Sequence, residues 1–288
     1  MISLPLMPVV SNSTKSVFHQ IRWAAIAVGL LAFAGCTSSE SIPSQIATIE
    51  TAQGSAQNIA ALTAVIRANP RDPAGYNVRG SAFGRSGNYN DALRDFDTAI
   101  KLNPRYFEAY NNRALIHRFT GELTAAANDY NRAIQINRSY DKAYVGRGEL
   151  YRRAGRESEA FNDFQRAIQL DTTDPRAYHR RGLIYQGRNQ HDFAIDDFST
   201  AISLSPDAPE PYNGRAISYI AINQIDNAFD DVNFALGLDD NNAESWANQG
   251  LIWEQKGELE KARKSYKRSL QLNSRFEPAS AGLNRIGR

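Results

Sequence analysis

Cysteine is nearly absent: Cys36 is the single one in 288 residues, so no disulfide can form within the chain. Charge of one sign is missing too, since 33 basic and 31 acidic side chains give a formal net charge of +2. Lys15 and Arg22 both lie in the first 35 residues, which hold no acid, and the remainder is balanced. A balanced chain has no global field for nucleic acid or anionic lipid. Histidine is scarce, and His117, His179 and His191 occupy unrelated positions without metal-ligand spacing. Gly146-Arg147-Gly148 begins a dinucleotide-type motif, but the third glycine is missing and no strand pattern precedes it. With no convergent set of reactive groups, the chain reads as a non-enzyme that needs no cofactor and no metal.

Long apolar runs are also lacking. The run Trp23 to Phe33 is too short to cross a bilayer, which takes about 20 apolar residues. Lys15 and Arg22 precede it and Ala34-Gly35-Cys36 follows, the charged start, apolar middle and small-residue end of a secretory signal. The Phe33-Ala34-Gly35-Cys36 ending resembles a bacterial lipoprotein box, with Phe33 where such boxes usually carry Leu, Val or Ile. That resemblance implies a signal peptide over 1–35, a lipidated Cys36 and a tether over 36–45. Thr37, rather than Asp, implies sorting to the outer membrane, facing the periplasm. An ordinary cleaved signal, or an uncleaved anchor with Cys36 incidental, is the alternative.

What the chain does have is a period. From Pro73, small and apolar residues at Tyr76, Gly80, Phe83, Gly87, Tyr89, Ala92, Phe96, Ala99, Leu102 and Pro104 return every 34 residues. Six repeats result, 73–106, 107–140, 141–174, 175–208, 209–242 and 243–276, without insertion or deletion. Spacings of three and four place Tyr76, Gly80 and Phe83 on one helix face, and Ala92, Phe96 and Ala99 on another. Gly87 supplies a left-handed stop between the two helices, and Asn189 and Asn223 replace it in two repeats. A fixed period of this length predicts stacked two-helix units, none able to bury its apolar face alone. Residues 46–70 read as a degenerate first unit and 277–286 as a capping helix, so 46–286 forms one solenoid.

Two further columns run through the repeats. Arg79, Arg113, Arg147, Arg181 and Arg215 precede the small first-helix residue, and Asp95, Asp129, Asp163, Asp197 and Asp231 precede the second-helix core residue. In the sixth repeat both change, to Gln249 and Ser265. Joint retention and joint change predict that the two residues pair within a repeat, the guanidinium fork matching a carboxylate.

The pattern resembles the tetratricopeptide repeat family. That resemblance implies an all-α, right-handed superhelical solenoid of antiparallel helix pairs, whose first helices line a concave groove that binds proteins or peptides. Mapped by frame, the groove candidates are Asn77, Asn111, Asn112, Arg118, Lys142, Arg152, Arg153, Arg176, His179 and Arg180. Basic residues gather in the middle, and Glu210, Glu244 and Glu254 follow towards the C-terminus. Some members clamp a C-terminal carboxylate; Asn77, Asn112 and Lys142 match part of that set, whereas Ser81 and Gly146 depart from it. The implied function is a membrane-anchored, non-catalytic scaffold of the bacterial envelope. An assembly factor for a pilus or secretion channel is one alternative, and an enzyme accessory with a cryptic groove site is another.

Overall fold

The computed structural model describes residues 54–287. The expected signal peptide, Cys36, the tether and the start of the degenerate unit lie outside the described residues. Helix α1 (Ala56–Ala68) is followed by six pairs: α2 (Pro73–Arg85) with α3 (Tyr89–Leu102), α4 (Phe107–Thr120) with α5 (Leu123–Ile136), and α6 (Asp141–Arg153) with α7 (Glu157–Gln169). The series continues with α8 (Pro175–Gly187) and α9 (His191–Leu204), α10 (Pro209–Ala221) and α11 (Ile225–Leu238), and α12 (Ala243–Gln255) and α13 (Leu259–Leu272), then α14 (Glu277–Arg285). Consecutive helices pack antiparallel, with no strand among the described residues, which makes this body an all-α solenoid.

The helix boundaries follow local chemistry. Pro73, Pro175 and Pro209 begin helices, where the missing N–H costs nothing. Asp72 and Asp174 cap two of them by accepting from the backbone N–H groups of Ala74 and Arg176. Between the helices of each pair the backbone turns left-handed at Gly87, Gly121, Gly155, Asn189, Asn223 and Gly257. The two asparagines take φ of 58° and 60°, as the glycine column predicts.

Each repeat centres its core on one second-helix aromatic or valine, packed against small residues and against first-helix aliphatics such as Ile116, Leu150, Ile184 and Ile252. Phe96, Tyr130, Phe164, Phe198, Val232 and Tyr266 are at most 1% exposed, and the alanine four residues before each is fully buried. Burying a Phe-sized side chain contributes roughly 1.5–3 kcal/mol. Gly80 serves this packing directly, since a Cβ there would lie 2.8 Å from the Phe96 ring. The small residue in the first helix thus makes room for a ring, not only for the partner backbone.

The Arg and Asp columns pair within repeats in all five cases. In each, Nε and one terminal nitrogen of the arginine donate to the two carboxylate oxygens at 2.6–2.8 Å. The remaining terminal nitrogen donates backwards into the preceding unit, to Thr63, Asp97, Asn131, Gln165 and Ser199 in turn. The fork therefore ties each repeat to its neighbour as well as to itself. The sixth repeat keeps a neutral version, in which Ser265 donates to Gln249 and Gln249 donates to Asn233.

One junction departs from the rest. After α3, α5, α11 and α13 the residue following the helix is extended, and its side-chain oxygen accepts from the backbone N–H two residues on. These Asx turns close the helices at Arg138, Asp240 and Ser274, where proline is missing. After α7 the helix stops a residue earlier and Asp171 takes φ of 57°. Elsewhere the first aromatic of a repeat latches onto the preceding turn, as Tyr144 donates to the Arg138 carbonyl and Tyr212 to that of Pro206. Tyr178 makes no such bond among the described residues. Neighbouring first helices touch, except that α6 and α8 approach less closely.

Candidate functional site

The first helices carry the polar residues that packing leaves over, and clefts open along them. A cleft of about 380 Å3 is lined by Ser81, Gly84, Arg85, Tyr89, Phe96, Asn112, Leu115, Ile116 and Phe119. A second, of about 350 Å3, is lined by Asn111, Asn112, Leu115, Arg118, Tyr130, Asp141, Lys142, Gly146, Thr173, Asp174 and Arg176. The two share Asn112 and Leu115 on α4, so they adjoin along one helix. The first is mostly apolar in its residues, and Phe119 stands 60% exposed at its edge. The second is walled by amides and charges.

Amide side chains bridge repeats here. Asn112 donates to the Asn77 oxygen at 3.0 Å and to Ser81 at 3.4 Å, and Asn111 donates to Asn112 at 3.2 Å. Asn77 and Asn111 are buried, so their geometry is fixed by the helices on either side. The same device recurs between α10 and α12, where the buried Asn213 donates to Ser245 at 2.8 Å.

The basic residues of the middle repeats are not one free patch. Glu149 is only 4% exposed, and Arg180 from the next repeat donates to it at 2.8 Å while Arg152 donates at 3.3 Å. Burial pushes the Glu149 carboxyl up, but Arg180 and Arg152 outweigh it and hold it below the ordinary range. Arg152 and Arg180 thus hold the buried Glu149, while 38% and 30% of their side chains stay exposed. Arg176 grips Asp174 through Nε and a terminal nitrogen. Arg153 is exposed and unpaired among the described residues, and Lys142 stands exposed at the rim of the second cleft.

His179 lies 5.7 Å from the Phe198 ring, between centroids. Burial, then Arg180 and Arg152, push its imidazole down to about 4 against a counteracting Glu149, so it is neutral at pH 7. At the C-terminal end, burial and then Glu210 push the Glu244 carboxyl up. Glu254 accepts from Tyr266 at 2.6 Å and from Arg285 at 2.9 Å. No group of His, Cys, Asp or Glu with metal-holding geometry occurs among the described residues. No described helix is long and apolar enough to cross a membrane.

Of the groove candidates, the structure brings Asn77, Asn111 and Asn112 into one amide cluster. It sets Asn111, Asn112, Arg118, Lys142 and Arg176 around one cleft and gathers Arg152, His179 and Arg180 at Glu149. Sequence reasoning missed Tyr130 as a cleft wall and Glu149 as a buried acid. The signal for the first was Gly146, where a Cβ would lie 2.4 Å from the Tyr130 ring.

Models of the tetratricopeptide repeat match residues 77–142, 148–187, 175–208 and 243–276. No curated protein matches the chain. Among solved structures, the Cut9–Hcn1 hetero-tetramer of the APC/C is similar with a TM-score of 0.66 and 19% identity, over 86% of this chain and 49% of the other. The chain therefore spans about half the length of that relative. PilF of Pseudomonas aeruginosa gives 0.65 at 17% identity, over 74% of this chain and 97% of its own. YrrB, described as a TPR protein with an unusual peptide-binding site, gives 0.57 at 21% identity, over 66% and 97%. At these identities the likeness concerns the fold.

Proposed function

Because the chain is built of tetratricopeptide repeats, we propose that it is a non-catalytic scaffold that binds an extended polypeptide along its first helices. The observation that carries this reading is the pair of adjoining clefts sharing Asn112 and Leu115, one apolar and one polar. An extended peptide presents alternating side chains and a regular row of backbone polar groups, which apolar hollows and fixed amides suit. Asn77 and Asn112 are held in place before any ligand arrives, which lowers the ordering cost of binding. The description of YrrB supports the reading by analogy of fold. Selection of a random-peptide display library on the full chain tests it. Enriched peptides should compete with one another and lose binding to Asn112→Ala; no enrichment would sink the proposal.

The scaffold is placed, on this reading, at the periplasmic face of the outer membrane by a lipid on Cys36, the reading that the Phe33-Ala34-Gly35-Cys36 ending supports. An acylated cysteine holds a protein to a bilayer by about 0.8 kcal/mol per buried methylene. Metabolic labelling with a fatty acid decides the point, since Cys36→Ser should abolish the label and an unlabelled wild type would end the idea. A role in pilus assembly is the second reading, supported by the likeness in fold to PilF and to PilW, a type IV pilus biogenesis factor.

A further inference from the structure

We propose that a second copy of this chain docks on the outer face of the last repeats, its α11 against α13 and α14, in a closed two-fold dimer. The contact uses the second helices, so it is independent of what the first helices bind.

The junction between α13 and α14 is built differently from the others. At the earlier junctions an arginine, or Gln249, of the next first helix bonds two consecutive second helices. Arg181 joins Gln165 to Asp197 in this way, and Arg215 joins Ser199 to Asp231. On α14 the equivalent position is Leu283, and the position of the latching aromatic is Ser280. A cleft of about 360 Å3 results, lined by Arg263, Lys267, Leu270, Ser280, Leu283 and Asn284. Arg263 continues an apolar column of Phe161, Ile195 and Phe229, and its Nε is buried without an acceptor. Its terminal nitrogens donate to Glu260 and to the Gly287 carbonyl.

The surface around this cleft is basic. Helix α13 carries five basic side chains against one acid, and Lys264 and Lys267 stand exposed without an ion pair among the described residues. Helix α11, one repeat earlier, is the reverse, with three aspartates and no basic residue. Asp231 is held in a fork and Asp226 by Lys256, whereas Asp230 is exposed and unpaired among the described residues. Asp226, Asp230 and Phe234 follow one another at a spacing of four, so they form one ridge. Phe234 is 52% exposed where the equivalent residues are Thr98, Arg132, Arg166, Thr200 and Arg268. Three residues on, Gly237 interrupts a column that holds Gln135, Gln169 and Gln271, and a Cβ there would meet no atom within 4 Å. Glycine weakens a helix, and no contact among the described residues calls for it at this place. Close approach of another molecule does.

Charge and shape together select the occupant. The acidic ridge of α11 complements the basic α13, and Phe234 supplies an apolar side chain for the Leu270–Leu283 cleft. Asp230 and Lys264 hold equivalent positions on consecutive second helices. A two-fold axis between those helices therefore sets each α11 against the other copy's α13, and both contacts form at once.

The test is the mass of the full chain by sedimentation, in a reducing buffer so that Cys36 cannot link two copies. Wild type should pass from one chain mass to two as its concentration rises. Raising salt from about 0.05 M to about 0.5 M should weaken that dimer about tenfold or more. Asp226→Lys with Asp230→Lys, and separately Lys264→Glu with Lys267→Glu, should each stay monomeric with unchanged helical spectra. Mixed, these two variants should form a heterodimer, because both contacts then join opposite charges again. Gly237→Gln should melt no lower than wild type and yet weaken the dimer about threefold or more. A wild type that stays monomeric up to about 0.1 mM, variants that fail to pair on mixing, or masses growing beyond two chains would overturn the proposal. A monomeric wild type that binds phosphatidylglycerol vesicles would assign the basic surface to lipid and overturn it too.

Discussion

The Arg–Asp forks and the first-helix face are built from the same repeats in opposite ways. Five forks repeat with the same atoms at the same distances, and each adds a third bond into the unit before it. The first-helix face changes at every repeat, from the Asn77–Asn112 cluster to the Arg118 cleft, the Glu149 triad and the acidic end at Glu244. A solenoid needs the first kind of residue to keep its register and is free to vary the second. Stability should therefore be concentrated in the columns and specificity in the exceptions.

Breaking a fork should have the largest effect. Arg147→Leu leaves Asp163 buried, and Asp163→Leu leaves Arg147 half-buried without its carboxylate. Each single change is expected to cost about 3–5 kcal/mol, and the double change distinctly less than the sum. Urea titrations of the three variants measure that coupling, and additive losses would contradict the fork. Next comes the triad. Arg180→Met strips Glu149 of its closest partner and should cost roughly 1.5–3 kcal/mol, whereas Arg153→Glu on the same face should stay within about 0.5 kcal/mol. Equal effects of the two would erase the distinction between a packed and a free arginine.

A smaller effect is set by pH. His179 sits near 4 in the fold against an ordinary 6.5, so below pH 6.5 the unfolded chain takes up a proton that the folded one refuses. Its contribution is complete above about pH 6.5 and declines as pH falls towards 4. The difference in urea midpoint between pH 7 and pH 5 should shrink in His179→Gln. The smallest change sharpens the comparison from the other side. Gln249→Arg with Ser265→Asp installs a sixth fork, expected to give about 0–1 kcal/mol, with each single substitution destabilising.

Much of the repeat was legible because periodicity amplifies it. Gly87 and its equivalents, the buried Phe96 column and the Arg–Asp pairing could each be read several times over in one chain. The third leg of the fork was just as periodic, at Thr63, Asp97, Asn131, Gln165, Ser199 and Asn233. It escaped notice because the column conserves polarity and reach rather than a residue type. The candidate face was legible only as a list of helix positions. That Arg118 lines a cleft depends on four helices at once, and that Glu149 is paired depends on Arg180 from the next repeat. Frame position alone marks Arg152, Arg153 and Arg180 as equivalent basic residues, and only their neighbours separate them. Asp171 shows the same limit in the backbone, since the turn after α7 differs from its counterparts although its sequence position does not.

The most direct test of peptide binding along the first helices is hydrogen exchange on the full chain, with and without a peptide taken from the display selection. Slowed exchange should fall on α4, α6 and α8, around Asn112, Gly146 and Arg176. Slowing confined to α5, α7 and α9 would place the ligand on the second helices and contradict the account.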